Sequence, residues 1–396
     1  MARPAPLLID VAPAPATVES TAVRPSPRLQ SLDVFRGLTI AAMLLVNNPG
    51  SWSHVYAPLE HVPWDGWTPT DLVFPFFLFI VGITTTLSIG GLMERGASGR
   101  ELFRKVLTRS IIIFALGLAM QGFPEYDLRT IRVPGVLQRI ALSYLIAATI
   151  VLWTGVRGQL VALIALLVGY WVLMTRVPVP GLGSTALAPD LNLSNWLDLK
   201  LIGRNHLMHE TMTWDPEGTL STLGGVASVM CGVLAGHWIR SSRVASAKVI
   251  GLIVAGGVGV ALGSWWSQTY PIIKNLWTGS FVLLSAGMAC LVLAAIYWLV
   301  DMKGHRGWAV TPFLVFGTNA ITAYWLSSLM GIVLNWIVIT SPEDGESLVL
   351  QTYIYETFYA RWLPPEMASL AYAVSFVLLW LGLLGLLYRR RIFIRI

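Results

Sequence analysis

The sequence predicts an all-α fold, a polytopic membrane helix bundle of about ten transmembrane helices with both termini cytoplasmic, and three observations carry that expectation. Hydrophobic residues make up 55% of the chain and charged residues only 12%, with a mean hydropathy of +0.66. Apolar runs of about 17 to 25 residues, long enough to cross a hydrocarbon core of about 30 Å, recur along nearly the whole length. Lysine and arginine concentrate at one set of connections and thin out at the other. The runs are too long and too evenly apolar for the roughly ten-residue alternation of barrel strands.

Met1 to about Pro27 is rich in alanine and proline, without a continuous apolar core or a cleavage pattern, so residues 1–30 read as a disordered cytoplasmic tail ahead of a transmembrane domain over 31–396. The first span, about 35–49, stops at Asn47-Asn48-Pro49-Gly50, where proline and glycine end a helix. The second, about 70–92, follows Thr68-Pro69-Thr70-Asp71, with Thr68 as N-cap, Pro69 in the first turn and Asp71 completing a capping-box-like pattern. Further spans are expected at about 108–123, 134–154, 159–175, 219–239, 248–266 and 278–300. The ninth, about 310–338, is long enough to tilt, to kink at Gly317 or Gly331, or to break in two. The tenth is expected at about 367–388, and an even number places both termini on one side.

Most of the 27 basic residues assign that side to the cytoplasm. It holds Arg3, Arg24, Arg28 and Arg36, the run from Arg95 to Arg109, then Arg157, Arg240, Arg243, Lys248, Lys303, Arg306 and the C-terminal arginines. The segment around His61 and the loops at about 176–218 and 339–366 fall on the opposite face. The net charge of +6 is thus topological, and no nucleic-acid surface of interleaved aromatic and basic residues accompanies it. Without a phosphate-binding glycine loop or an internal repeat, an ATP-driven pump and an inverted-repeat transporter are disfavoured. Cys231 and Cys290 lie inside apolar runs as small hydrophobes. His206 and His209 are close enough to share a metal, but no further ligand joins them; no metal is predicted, and a surface loop is the better reading.

Several places carry polar chemistry that a featureless bundle would not require. His61, at the mouth of the second span, is a proton acceptor suited to neutral pH or, more plainly, an interfacial anchor. Asp71, ten residues on, is placed to orient that imidazole or to cap the helix, and the two roles can coexist. Asn47 ends the first span by turn chemistry or offers its amide to a developing oxyanion. Gln138 and Arg139 begin the fourth span, where an arginine pairs with a carboxylate, binds an anionic group in a wet cavity or snorkels outward. Asp215-Pro216-Glu217-Gly218 caps the sixth span, or Glu217 recognises a cationic acceptor. Lys274, Asn275 and Asn319 are further polar insertions, read as cavity lining.

Taken in order, these blocks resemble the transmembrane acetyltransferases of the heparan-alpha-glucosaminide N-acetyltransferase family, here of a bacterial type with no extended luminal N-terminal domain. The matching elements are Ser31-Leu32-Asp33-Val34-Phe35-Arg36-Gly37, Val46-Asn47, His61 to Gly66 with Asp71-Leu72-Val73-Phe74-Pro75, Pro134 to Arg139, Asp215 to Gly218, and Lys274 to Trp277. The resemblance implies acetyl transfer from acetyl-CoA, as co-substrate, to the amino group of a glucosamine-type sugar across the membrane. It makes His61 the essential histidine, Asn47 and Asp71 parts of the same active region, and Gln138 and Arg139 a polar pair inside the bundle. The expected location is a bacterial inner membrane with His61 on the periplasmic side, and a homodimer is compatible with it. On this reading a polar cavity, lined in part by Arg139, admits the donor's pantetheine arm. His61 acts as general base or accepts the acetyl group itself. The rival class is a secondary transporter of a sugar or small anion, with His61, Asp71 and Arg139 as a proton relay, and a non-catalytic sugar-binding protein comes third.

Overall fold

The computed structural model describes residues 29–340 and 347–394. The expected tail falls outside the described residues up to position 28. The helices are α1 (Gln30–Asn47), α2 (Val73–Glu94), α3 (Gly99–Gly122), α4 (Val136–Trp153), α5 (Val156–Arg176), the short α6 (Leu193–Leu201), α7 (Thr222–Arg240), α8 (Ala245–Trp266) and α9 (Gly279–Tyr297). They continue with α10 (Thr311–Thr318), α11 (Ala320–Trp336), the short α12 (Leu350–Tyr355) and α13 (Pro365–Arg389). A small antiparallel hairpin of β1 (Val338–Thr340) and β2 (Ser347–Val349) precedes α12.

A helix stands at every expected span, but they are not equally apolar. Among the described residues, seven are long and apolar enough to cross a bilayer, and the pair α10 and α11 would make an eighth. Asp33 and Arg36 in α1, and Arg100, Glu101, Arg104 and Lys105 in α3, dilute the apolar character of those two helices. The ninth span does break, at Asn319, two residues past Gly317, with an 83° bend between α10 and α11. Asn319 holds the break: its Nδ2 donates to the Ile392 carbonyl at 3.2 Å, and its Oδ1 accepts from the Ile394 N–H at 2.9 Å. Its predicted place in a substrate cavity is therefore a correction, because both ends of the amide are engaged with the backbone of the C-terminal segment.

Burial separates an inner group of helices from an outer one. In α2, α4, α7 and α9 between 61% and 67% of the apolar stretch is buried, against 11% to 28% in α5, α8 and α13. The outer helices expose runs such as Leu160, Val161, Ile164 and Val168, or Ile250, Ile253, Val254 and Val258, which suit a lipid surroundings and no aqueous one.

Close helix contact is set by small residues, because lipid offers no hydrophobic drive to bring helices together. Gly82 of α2 faces the backbone of Val229 in α7, and Gly232 of α7 faces that of Phe79, so a Cβ at either position would overlap a carbonyl. Gly82→Val is expected to cost about 1–3 kcal/mol by overpacking. Thermal unfolding in detergent checks this, with Gly382→Val as control, since Gly382 has open space around it.

Candidate functional site

Between α1 and α2 the chain forms an irregular loop that docks onto the segment joining α8 to α9. Asp65 makes an antiparallel bridge with Ile273, the Gly66 N–H donates to the Ile272 carbonyl at 2.9 Å, and Asn275 Nδ2 donates to the Pro63 carbonyl at 3.1 Å. Gly66 has φ +108°, a backbone shape that an L side chain would strain. Two stretches far apart in sequence are thereby laid side by side, and this brings Lys274 to His61.

His61 Nδ1 lies 2.7 Å from Asp71 Oδ1. Lys274 Nζ sits 2.8 Å from the same Nδ1 and 3.1 Å from Asp71 Oδ1. With a carboxylate and an amine both within reach, Nδ1 donates to Asp71 in one tautomer and accepts from Lys274 in the other, and only the first leaves Nε2 basic. Asp71 is 1% exposed and fully engaged, since its Oδ2 accepts from the N–H of Thr68 at 3.0 Å, the Thr68 hydroxyl at 3.2 Å and the Val62 N–H at 3.3 Å. The capping box of Thr68 and Asp71 forms as the sequence predicts, and one oxygen serves the cap while the other serves the imidazole. Burial pushes the Lys274 ammonium below its ordinary pKa, and the neighbouring Asp71 carboxylate works against that shift.

His61 opens onto a cavity of about 420 Å³ whose walls also include Asn47, Arg132, Trp214, Glu217, Lys274 and Asn275. Asn47, the last residue of α1, therefore stands in the same space as His61. Trp64 and Trp214 pack edge to face at 5.1 Å beside it.

Arg139 is elsewhere. It is 1% exposed, donates to the Gly218 carbonyl at 3.2 Å and to the Ser221 hydroxyl, and lies 4.9 Å above the Trp277 ring. Neither a carboxylate partner nor a place in the cavity wall is found for it among the described residues, which corrects both expectations. A hydroxyl and a carbonyl meet Nη2 and an indole face lies against the guanidinium, while Nε and Nη1 have no hydrogen-bond partner among the described residues. Gln138 is likewise buried, against Gly117 and Gly135, and does not line the cavity.

Glu217 does line it, but its charge is already met. Arg132 Nη2 is 2.6 Å from Glu217 Oε2, while Arg132 also grips Asp215 through Nε at 2.8 Å and Nη2 at 2.7 Å. Burial opposes the charge on Arg132, yet the two carboxylates hold its guanidinium above the ordinary pKa. The capping role expected for these acids does not form, because α7 starts only at Thr222. Asp215 instead closes its own loop, accepting from the N–H groups of Met208 and Glu217 at 3.0 and 2.9 Å. Arg132 was legible only as one of the few basic residues on the face that the positive-inside rule depletes, and that scarcity is the signal that marks it. His206 supports it: its Nδ1 hydrogen-bonds with the Ile131 carbonyl at 2.8 Å, and its own carbonyl accepts from the Val133 N–H at 2.9 Å.

Asp198 on α6, unmarked in the sequence, is fully buried behind this loop and accepts from the Thr219 N–H at 2.7 Å. Burial raises its carboxyl from the ordinary 3.8 to about 6, with the Thr219 bond opposing. A carboxyl that holds its proton more tightly when folded favours the folded state at low pH, and that advantage disappears as pH rises from 3.8 to about 6. The ionised form above that range costs up to about 3 kcal/mol. Asp198→Asn, which mimics the protonated acid, is expected to melt higher than the parent at pH 8 and no higher at pH 4, as read by thermal unfolding at both pH values.

Residues 28–201 match the family described as "Heparan-alpha-glucosaminide N-acetyltransferase, catalytic", a stretch that contains Asn47, His61, Asp71, Arg132 and Arg139. The human protein named heparan-alpha-glucosaminide N-acetyltransferase is 30% identical over 78% of this chain and 54% of its own length. The mouse protein of the same name is 29% identical over 75% of this chain and 53% of its own. The chain thus spans about half the length of the curated relatives it matches. The matched region carries the His61 and Asp71 pair, while the cavity walls at Trp214, Glu217, Lys274 and Asn275 lie beyond it, and the similarity makes the chain a relative of heparan-alpha-glucosaminide N-acetyltransferase.

Proposed function

We propose that this protein is a membrane acetyltransferase that moves an acetyl group from cytoplasmic acetyl-CoA to the amino group of a glucosamine-type sugar on the opposite face, with His61 as general base. The observation that supports it is the imidazole held at Nδ1 beside buried Asp71, on the wall of a cavity that Asn47 also lines, and the reading takes the tautomer in which Nδ1 donates to the carboxylate and Nε2 is basic. The sugar amine attacks the thioester carbonyl as Nε2 takes its proton, and Asp71 supports the imidazolium that results. The oxyanion of the tetrahedral intermediate is met by the Asn47 amide. Collapse breaks the carbon–sulfur bond, His61 returns the proton to the leaving thiolate, and the products are the N-acetyl sugar and free CoA.

Topology belongs to the same reading. Counting α1, α3 and the bent pair with the seven apolar helices gives ten spans and two cytoplasmic termini, as the distribution of basic residues favours. The donor then has to reach His61 from the far side. A small apolar compartment of about 20 Å³, bounded by α1, α2, α3, α4 and α11, shares Met43 and Val136 with the His61 cavity. It marks the route that would widen for the pantetheine arm, and its lining is apolar where a polar one was expected.

The test is CoA release from acetyl-CoA by purified protein in the presence and absence of glucosamine and related amino sugars. Acceptor-stimulated release supports the reading, and its absence with every amino sugar overturns it. Labelled acetyl recovered on the protein when acceptor is omitted would make His61 the nucleophile in place of the base.

A further inference from the structure

A second cavity, of about 520 Å³, shares Asn47 with the His61 cavity. Its walls include Asn47, Asn48, Ser328, Asn335 and Trp336, and among the described residues no charged side chain lines it. Asn48 and Asn335 are braced: their Nδ2 atoms donate to the carbonyls of Leu44 and Gly331 at 2.8 and 2.9 Å. Each is held in one orientation, with Oδ1 as the remaining acceptor. Trp336 is 60% exposed at the end of α11. Fixed amides beside an accessible indole offer hydrogen bonds to hydroxyls and a flat apolar face to C–H groups, the two surfaces that a pyranose ring presents. The lack of charge disfavours a phosphate, a carboxylate or an ammonium, each of which would leave water for a site unable to compensate it.

We infer that this cavity is a second saccharide subsite that takes an uncharged sugar unit next to the glucosamine, so that the acceptor bridges Asn47 with its amine toward His61. The inference rests on the proposed activity for the direction of the acceptor, and on the cavity alone for the binding of a neutral sugar. Two or three amide bonds and one stacked ring correspond to about a tenfold preference for the longer acceptor.

The experiment compares kcat/KM for glucosamine, for a glucosaminyl disaccharide with a neutral second sugar and for one with a uronate in that place. Calorimetric binding of a fully N-acetylated neutral disaccharide is measured in parallel. In the wild type the neutral disaccharide is expected to exceed glucosamine by about tenfold and to exceed the uronate by a similar factor. Trp336→Ala and Asn335→Ala are expected to erase that preference and to weaken disaccharide binding by about tenfold, while Trp153→Ala, at the far end of α4, leaves the preference in place. Equal use of glucosamine and the neutral disaccharide, acceptance of the uronate as readily as the neutral sugar, or undiminished binding in both variants would overturn the subsite. Binding lost in the variants without CoA release by any protein would uphold the subsite and sink the acetyltransferase reading.

Discussion

His61→Ala is expected to lower acceptor-dependent CoA release by a factor of about 10²–10⁴ while the protein remains folded. The size follows from the proposed role of the imidazole as general base: without it, the amine would lose its proton to water as it attacks. Folding should survive because the His61 side chain is 37% exposed, and its contacts are polar ones at a loop. Asp71→Asn provides the contrast. An amide can still accept one bond from the cap, but it can turn its NH₂ toward Nδ1 and favour the tautomer with the proton on Nε2, where it blocks base catalysis. A loss comparable to that of His61→Ala is expected, with KM for the acceptor little changed. Both are measured as steady-state kinetics on protein shown to be monodisperse. Full activity in His61→Ala would remove the imidazole from the mechanism.

The largest stability effect is expected at Arg132→Met. Asp215 is completely buried and Glu217 nearly so, and Arg132 is the cation that both carboxylates share. Removing one partner from a buried ion pair leaves the other charge desolvated and costs about 3–5 kcal/mol. The loss should appear as a lower unfolding midpoint that recovers partly in Arg132→Met/Asp215→Asn, because the second change removes one of the stranded charges. Arg132→Lys should fail to restore it, since a single ammonium cannot reproduce the fork that meets Asp215 through two nitrogens.

The parts of this molecule legible in its sequence are those governed by local rules. Span positions followed from the length of apolar runs, and the His61 and Asp71 pair lies only ten residues apart, within one loop and the helix start that closes it. Asn319 shows the limit: the length of the ninth span allowed a tilt, a kink at Gly317 or Gly331, or a break, but the clasp on the backbone of residues 392 and 394 that fixes the break depends on how the last segment returns. Lys274 reaches His61 across 213 positions through a bridge that no local pattern records. Arg139 was expected beside an acid because burial demands compensation, and the bundle supplied a hydroxyl, a carbonyl and an indole instead.

The small apolar compartment below the His61 cavity has an electrical consequence. Proton hopping needs an unbroken file of waters or polar groups, and a space of about 20 Å³ walled by Ile40, Met43, Phe77, Ile113, Leu137 and Ile140 has room for about one water and little to hold it. If the proposed route for the thioester arm holds, that passage is insulating between visits. Protons taken up by His61 in the proposed reaction would then exit by the mouth of its own cavity, and the ion gradient across the bilayer would not be short-circuited through the bundle.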